Sequence, residues 1–367
     1  MENSSLITHH PAFGGPTEAG ASRPVKAVAL YSGGLDSTLA ILAVMKQGIE
    51  VKAVTFLNHF GCDITDKSSC SKNPFAAAQQ FGFEVKLCHL SDKFINIVKN
   101  PKFGHGKNMN PCMDCRILML REAKEFMEMV NADFIITGEV LGQRPMSQRR
   151  DALDIIDRET GLRGRILRPL TAKLLKPTIA EQEGLVNRDM LYGFGGRTRK
   201  PQMALAAEFG LTDYPLPASG CLLTEPNYSY RLSESLAYDK EPSLDDLNLL
   251  RVGRHFRLSD TCKVIVGRDE AENNAILLIL GEKGTFLKAE DHASPISVIR
   301  GDADEEMIRT AASLCARYSD GKHLAEVKVK IWNGDDVRYL PVQPADQALI
   351  DQYKIERKDK SKVPQKV

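Results

Sequence analysis

The chain has 367 residues, 43% of them hydrophobic and 26% charged, which is apolar material enough for two globular domains. No run approaches the roughly 20 apolar residues that a membrane span needs, and a formal net charge of +1 neither demands nor excludes a polyanionic partner. Residues 1–24 carry Gly, Pro, Ser and Thr without an apolar stretch long enough for a signal-peptide core, so a flexible leader on a cytoplasmic protein is expected. The eight cysteines are then expected as reduced thiols, and clustered ones point to metal binding or redox catalysis before structural disulfides.

In chain order, a strand over VKAVALY from Val25 leads through a glycine turn into a helix, STLAILAVMKQ, closed by Gly48, and a second strand, VKAVTFL. PFAAAQQFG reads as helix, EVKLCHL as strand, Asp92 to Val98 as helix, Met113 to Val130 as a long helix and DFIITG as strand. Strands alternating with helices predict an α/β domain over residues 25–210 with a parallel sheet covered on both faces. Residues 211–242, rich in Pro, Tyr and Ser, read as a cysteine-bearing loop and linker. Over 243–350 the strand-like runs CKVIVG, AILLIL, PISVIR and AEVKVKIW, the helical DEEMIRTAASLCARY and the turn Asn333-Gly334 predict a smaller α+β domain. A charged, disordered tail is expected over 351–367.

Ser32-Gly33-Gly34-Leu35-Asp36-Ser37 stands directly after a strand that should be buried and directly before a helix. Two consecutive glycines let the backbone turn tightly and aim N–H groups at an anion, and the helix adds its positive end, so phosphate is the expected guest. The segment fits neither the Walker loop nor the GxGxxG fingerprint. Between Arg144 and Lys200 there are 13 Lys or Arg against 7 Asp or Glu, a local excess suited to a phosphate backbone or to a solvated surface.

In Asn110-Pro111-Cys112-Met113-Asp114-Cys115, Asn110 suits a helix N-cap and Pro111 the first helical position, which puts Cys112 and Cys115 on one face of the first turns. The helix dipole there favours thiolates, and lowered thiol pKa values make a nucleophile, a sulfur carrier or a metal ligand. Cys221 follows the flexible Pro217-Ala218-Ser219-Gly220. Cys112, Cys115 and Cys221 together suit three irons of an iron–sulfur cluster, a persulfide with its resolving thiol, or zinc with a fourth ligand. Cys88, Cys262 and Cys315 read as core residues, and His59, Cys62 and Cys70 share one loop without the spacing of a common metal site.

SGGLDS resembles the loop of the PP-loop ATP pyrophosphatases. The resemblance implies that Ser32, Gly33, Gly34, Asp36 and Ser37 contact the phosphates of ATP or help place magnesium, and that Phe56 and Leu57 approach the adenine. The run from Cys115-Arg116-Ile117-Leu118-Met119 through Ile136-Thr137-Gly138-Glu139-Val140-Leu141-Gly142-Gln143 and Ser147-Gln148 to Arg168-Pro169-Leu170 is similar to the catalytic domain of the tRNA 4-thiouridine synthetases. The Asn-Pro-Cys-x-x-Cys element is similar to that of the tRNA 2-thiouridylases. These resemblances imply an ATP-dependent tRNA sulfurtransferase with Gly138 and Gln143 at the nucleotide, Asp36 and the three cysteines in the chemistry, a catalytic lysine at Lys173 or Lys176, and a cysteine desulfurase or other sulfur donor as partner. Asn248 to Phe256 and Val266 to Asn273 resemble the RNA-binding domain of the NFACT proteins, with Arg251, Arg254, His255, Arg257 and Arg268 expected on phosphates and Phe256 stacked on a base.

Overall fold

The computed structural model describes residues 23–60, 75–214 and 221–357, and the chain divides into two compact units, Met1–Cys221 and Leu222–Val367. Most of the expected leader, the His59–Cys70 loop beyond Phe60, the residues just before Cys221 and the last ten residues lie outside the described residues. Among the described residues no helix is long and apolar enough to cross a membrane.

The first unit runs β1 (Lys26–Leu30), α1 (Leu35–Met45), β2 (Glu50–Leu57), α2 (Phe75–Phe81), β3 (Glu84–His89), α3 (Ser91–Lys99), α4 (Cys112–Met129), β4 (Phe134–Thr137), α5 (Arg150–Glu159), β5 (Ile166–Leu167), α6 (Ile179–Gln182) and α7 (Lys200–Glu208). The strands form one parallel sheet in the order β3-β2-β1-β4-β5. Four of the five β1 residues are buried, and α1 is buried from Leu35 to Val44 apart from Asp36. That explains the apolar sequence on every side of α1, since a helix with no solvent face needs no polar one. Strand order reverses at β1, with β2 on one side and β4 on the other. In such sheets the crevice beyond the carboxyl ends of the strands at the reversal is the natural ligand site. Because β4 is parallel to β1, the preceding α4 must run back along the sheet, which sets its first turn at that same carboxyl edge.

The second unit contains α8 (Pro226–Tyr238), α9 (Leu244–Leu249), β6 (Arg254–Arg257), β7 (Lys263–Val266), α10 (Glu270–Leu280), β8 (Thr285–Ala289), β9 (Ser297–Arg300), α11 (Glu305–Arg317), β10 (Val327–Asn333), β11 (Asp336–Val342) and α12 (Gln347–Tyr353). Its antiparallel sheet has the order β11-β10-β8-β9-β7-β6, and Gly334, at φ +57°, makes the β10–β11 turn. Two expectations are corrected here. Residues expected as linker form α8, whose Pro226 occupies the first turn and whose N-cap Glu225 accepts from the Asn227 and Tyr228 amides. AILLIL, expected as strand, completes α10, because the Asp269 side chain caps the helix on the Glu272 amide and commits the following residues to helical backbone. The unpatterned apolar run leaves Leu278 87% exposed.

Candidate active site

The loop between β1 and α1 is held by its own short side chains. Ser37 Oγ donates to the Gly34 carbonyl at 2.9 Å, lies 3.1 Å from Ser32 Oγ and accepts from the Ser32 amide at 3.3 Å. Gly33 sits at φ +71°, a backbone state that glycine adopts at little cost. Gly34 is the N-cap of α1 and offers no side-chain bond, so the amides of the first turn are left for an anion. Gly138, at the end of β4, lies against this loop: a Cβ there would meet Ser37 N at 2.5 Å and the Asp36 carbonyl carbon at 2.6 Å. Close approach of the two backbones therefore requires glycine at 138, a role the sequence motif did not disclose.

Asp36 is anchored on one oxygen only. Gln143 Nε2 donates to its Oδ2 at 2.8 Å, Gln202 Nε2 donates to Gln143 Oε1 at 3.2 Å, and Arg199 Nη2 lies 4.0 Å from the same Oδ2. The relay from Gln202 on α7 fixes which end of the Gln143 amide faces Asp36. Asp36 Oδ1 is buried without a hydrogen-bond partner among the described residues. A buried, unpartnered carboxylate oxygen beside a phosphate cradle suits a divalent cation such as magnesium. Phe56 and Leu57 are buried at the carboxyl end of β2. Lys173 and Lys176 are exposed, and the Lys173 ammonium donates to the Asp189 carbonyl at 2.9 Å.

Behind the loop lies an ionic network the sequence reading missed. Buried Glu139 accepts from Arg168 Nε at 2.9 Å and Thr137 Oγ1 at 3.0 Å and pairs with Arg116 Nε at 3.2 Å. Arg168 also holds Asp157 through both terminal nitrogens, at 3.1 and 2.7 Å. Burial alone would raise the Glu139 carboxyl, but Arg116 and Arg168 outweigh it and hold it below the usual carboxylate range. The motif segments around Arg116, Glu139 and Arg168 are thus tied together by charge.

Cys112 and Cys115 stand in the first turn of α4, on the carboxyl edge of the sheet, and Cys221 Sγ donates to the Phe60 carbonyl, three residues past β2, at 3.1 Å. The N-cap is Pro111, not Asn110; the Asn110 side chain instead acts on the Cys112 thiol and favours its ionised form. The expected lowering of that thiol is corrected as well: burial pushes Cys112 up, and Arg144, Arg116 and Asn110 only partly offset it. Among the described residues no group of three or more His, Cys, Asp or Glu is gathered to hold a metal. Cys262 and Cys315 are core thiols, as expected, and Cys88 is half-buried.

In the second unit two RNA-contact expectations are overturned by burial. Phe256 is fully buried and cannot stack on a base, and His255 is 1% exposed, bonded to the Val252 carbonyl at 2.8 Å and held neutral by burial, well below the usual imidazole range. Arg254 lies over the Tyr318 ring at 4.3 Å, Arg257 is paired with Glu234 at 2.7 Å, and Arg268 pairs with Glu272 at 3.4 Å while nearly half exposed.

Residues 23–181 match the family model described as thiamine biosynthesis protein (ThiI), and residues 253–354 match that of the NFACT protein RNA binding domain. A probable tRNA sulfurtransferase of Lysinibacillus sphaericus is 32% identical over 163 residues, 43% of this chain and 38% of that protein. A tRNA-specific 2-thiouridylase MnmA of Leptospira interrogans is 28% identical over 125 residues, 31% of this chain and 33% of that protein. A solved 4-thiouridine synthetase–RNA complex with bound ATP overlaps 51% of this chain and 41% of that one, at 24% identity and a TM-score of 0.37. The chain thus spans under half the length of these relatives. Both resemblances drawn from the motifs are met, each over its own unit.

Proposed function

We propose that the chain is an ATP-dependent tRNA sulfurtransferase whose first unit adenylates a uridine carbonyl and then replaces its oxygen with sulfur carried on a cysteine. The observation that carries this reading is the glycine-lined cradle at the strand-order reversal, with the unpartnered Asp36 oxygen inside it and cysteines at the same edge of the sheet. The sulfurtransferase and 2-thiouridylase names of the matched relatives support it.

A uracil oxygen is a poor leaving group and needs activation. In the proposed reaction the carbonyl oxygen attacks the α-phosphorus of ATP and pyrophosphate departs into the loop, where the first-turn amides of α1 and the Gly33–Gly34 backbone stabilise its charge. Magnesium, held through Asp36, would neutralise the phosphate oxygens. The terminal sulfur of a persulfide on Cys221 adds to the activated ring carbon, and AMP leaves with the former carbonyl oxygen. Cys112 then attacks the Cys221 sulfur, which leaves the transferred sulfur on the base and forms a protein disulfide. A thiol reductant resets the pair, and a protein persulfide donor such as a cysteine desulfurase recharges it. Arg116 and Arg144 beside Cys112 favour its thiolate as that step begins. The tRNA would be held by the exposed arginines between Arg144 and Arg165 and by the second unit, through Arg268 among others.

The test is release of labelled AMP from α-labelled ATP with and without a tRNA transcript. The reading expects tRNA-dependent AMP from the wild type and at least a hundredfold less from Asp36→Asn; AMP formation that ignores both tRNA and the substitution would overturn it.

A further inference from the structure

The sheet of the second unit places three cations side by side. Arg257 on β6 is directly opposite Lys263 on β7, which is directly opposite Arg300 on β9. Like charges facing one another across strands repel, and the outer two are each answered by a helix carboxylate. Glu234 of α8 takes Arg257 at 2.7 Å, and Asp246 of α9 takes Arg300 at 2.9 Å. The Lys263 ammonium, in the middle, makes no hydrogen bond or ion pair among the described residues, although its backbone is paired on both sides. All three line a cavity of about 370 Å³ shared with Ser235, Tyr238, Thr261 and Ile265.

We infer that this cavity is a binding site for a phosphoryl group, seated on Lys263 between the Arg257 and Arg300 guanidinium groups. The site needs an anion that brings its own charge, because the two nearby carboxylates are already committed. The other lining acids, Asp239 and Asp260, are exposed and screened by water. Burial, with Arg257 and Arg231 adding repulsion, pushes the Lys263 ammonium down to about 8 against the partial pull of Glu234 and Asp246. A phosphoryl dianion relieves that strain. Hydroxyls of Thr261 and Ser235 supply further donors, while Tyr238 and Ile265 give an apolar wall on which an attached nucleoside can rest. The inference stands on the second unit alone and does not depend on sulfur transfer.

The experiment titrates the full chain with inorganic phosphate by calorimetry, then with 5′-phosphorylated and 5′-hydroxyl forms of one short RNA. Saturable phosphate binding is expected, retained in Lys263→Arg and weakened about tenfold or more in Lys263→Met. Without phosphate Lys263→Met should melt at or above the wild type, since a repelling charge is gone, and phosphate should raise the melting temperature of the wild type and of Lys263→Arg by more than that of Lys263→Met. A preference for the phosphorylated RNA would identify an RNA end as the source; equal RNA affinities alongside phosphate binding would identify a free phosphate. Absence of phosphate binding, or equal binding by wild type and Lys263→Met, overturns the inference.

Discussion

Gly138→Ala offers a sharp perturbation because the added methyl has nowhere to go. Its three nearest atoms, at 2.5 to 2.6 Å, all belong to the backbone of Asp36 and Ser37. Ordinary contact needs about 3.4 Å or more, so the end of β4 and the start of α1 must part by about 1 Å. Overpacking of this kind costs about 1–3 kcal/mol of stability, and a displacement of about 1 Å in a group that must meet the reacting phosphate costs on the order of a hundredfold in rate. The assay is tRNA-dependent AMP release at saturating ATP, with a thermal melt to show that the variant is folded. Gly48→Ala is the control: at φ +77° with nothing within 4 Å of the added Cβ, it should lose about 1 kcal/mol of stability and keep its turnover. A folded Gly138→Ala protein within threefold of wild-type turnover would refute the close-approach argument.

Glu139→Gln removes the charge that Arg168 and Arg116 share and should lower unfolding stability by about 3–5 kcal/mol, read from urea denaturation. Acid should act through the same group: its folded carboxyl titrates below the unfolded one, so its contribution is present above about pH 4.5 and is lost as pH falls through the folded value. His255 makes the second unit sensitive at a higher pH. The folded imidazole titrates below its unfolded value of 6.5, so stability is lost as pH drops below about 6.5, by at most about 1.4 kcal/mol per pH unit. His255→Gln, which retains a donor toward the Val252 carbonyl, should flatten that slope in melts between pH 7.5 and 5.5.

What the sequence disclosed was locally encoded. SGGLDS between a strand and a helix, and a CxxC opening a helix, are features of neighbouring residues, and both stand where they were expected. The network of Arg116, Glu139 and Arg168 was not legible, because its partners lie up to 52 positions apart and meet only when β4 and β5 pair. Gln202, 59 residues from Gln143, was hidden for the same reason. In the second unit the strand RHFR gave no periodic signal: Arg254 and Arg257 remain partly accessible, while the adjacent His255 and Phe256 are both buried. AILLIL misled because an apolar run without a period fits strand and helix alike, and only the cap at Asp269 decides. The Cys112 thiol was misjudged because the helix end was visible in the sequence and the burial was not.

The central claim is that sulfur reaches RNA through Cys221 and Cys112 after adenylation. It is tested most directly by incubating the full chain with a tRNA transcript, ATP, magnesium and a persulfide donor, and measuring thiolated uridine by mass spectrometry of the digested RNA. The account predicts thiouridine from the wild type and none from Cys112→Ala or Cys221→Ala, with ATP binding intact in both. Full thiouridine formation by both cysteine variants would contradict it.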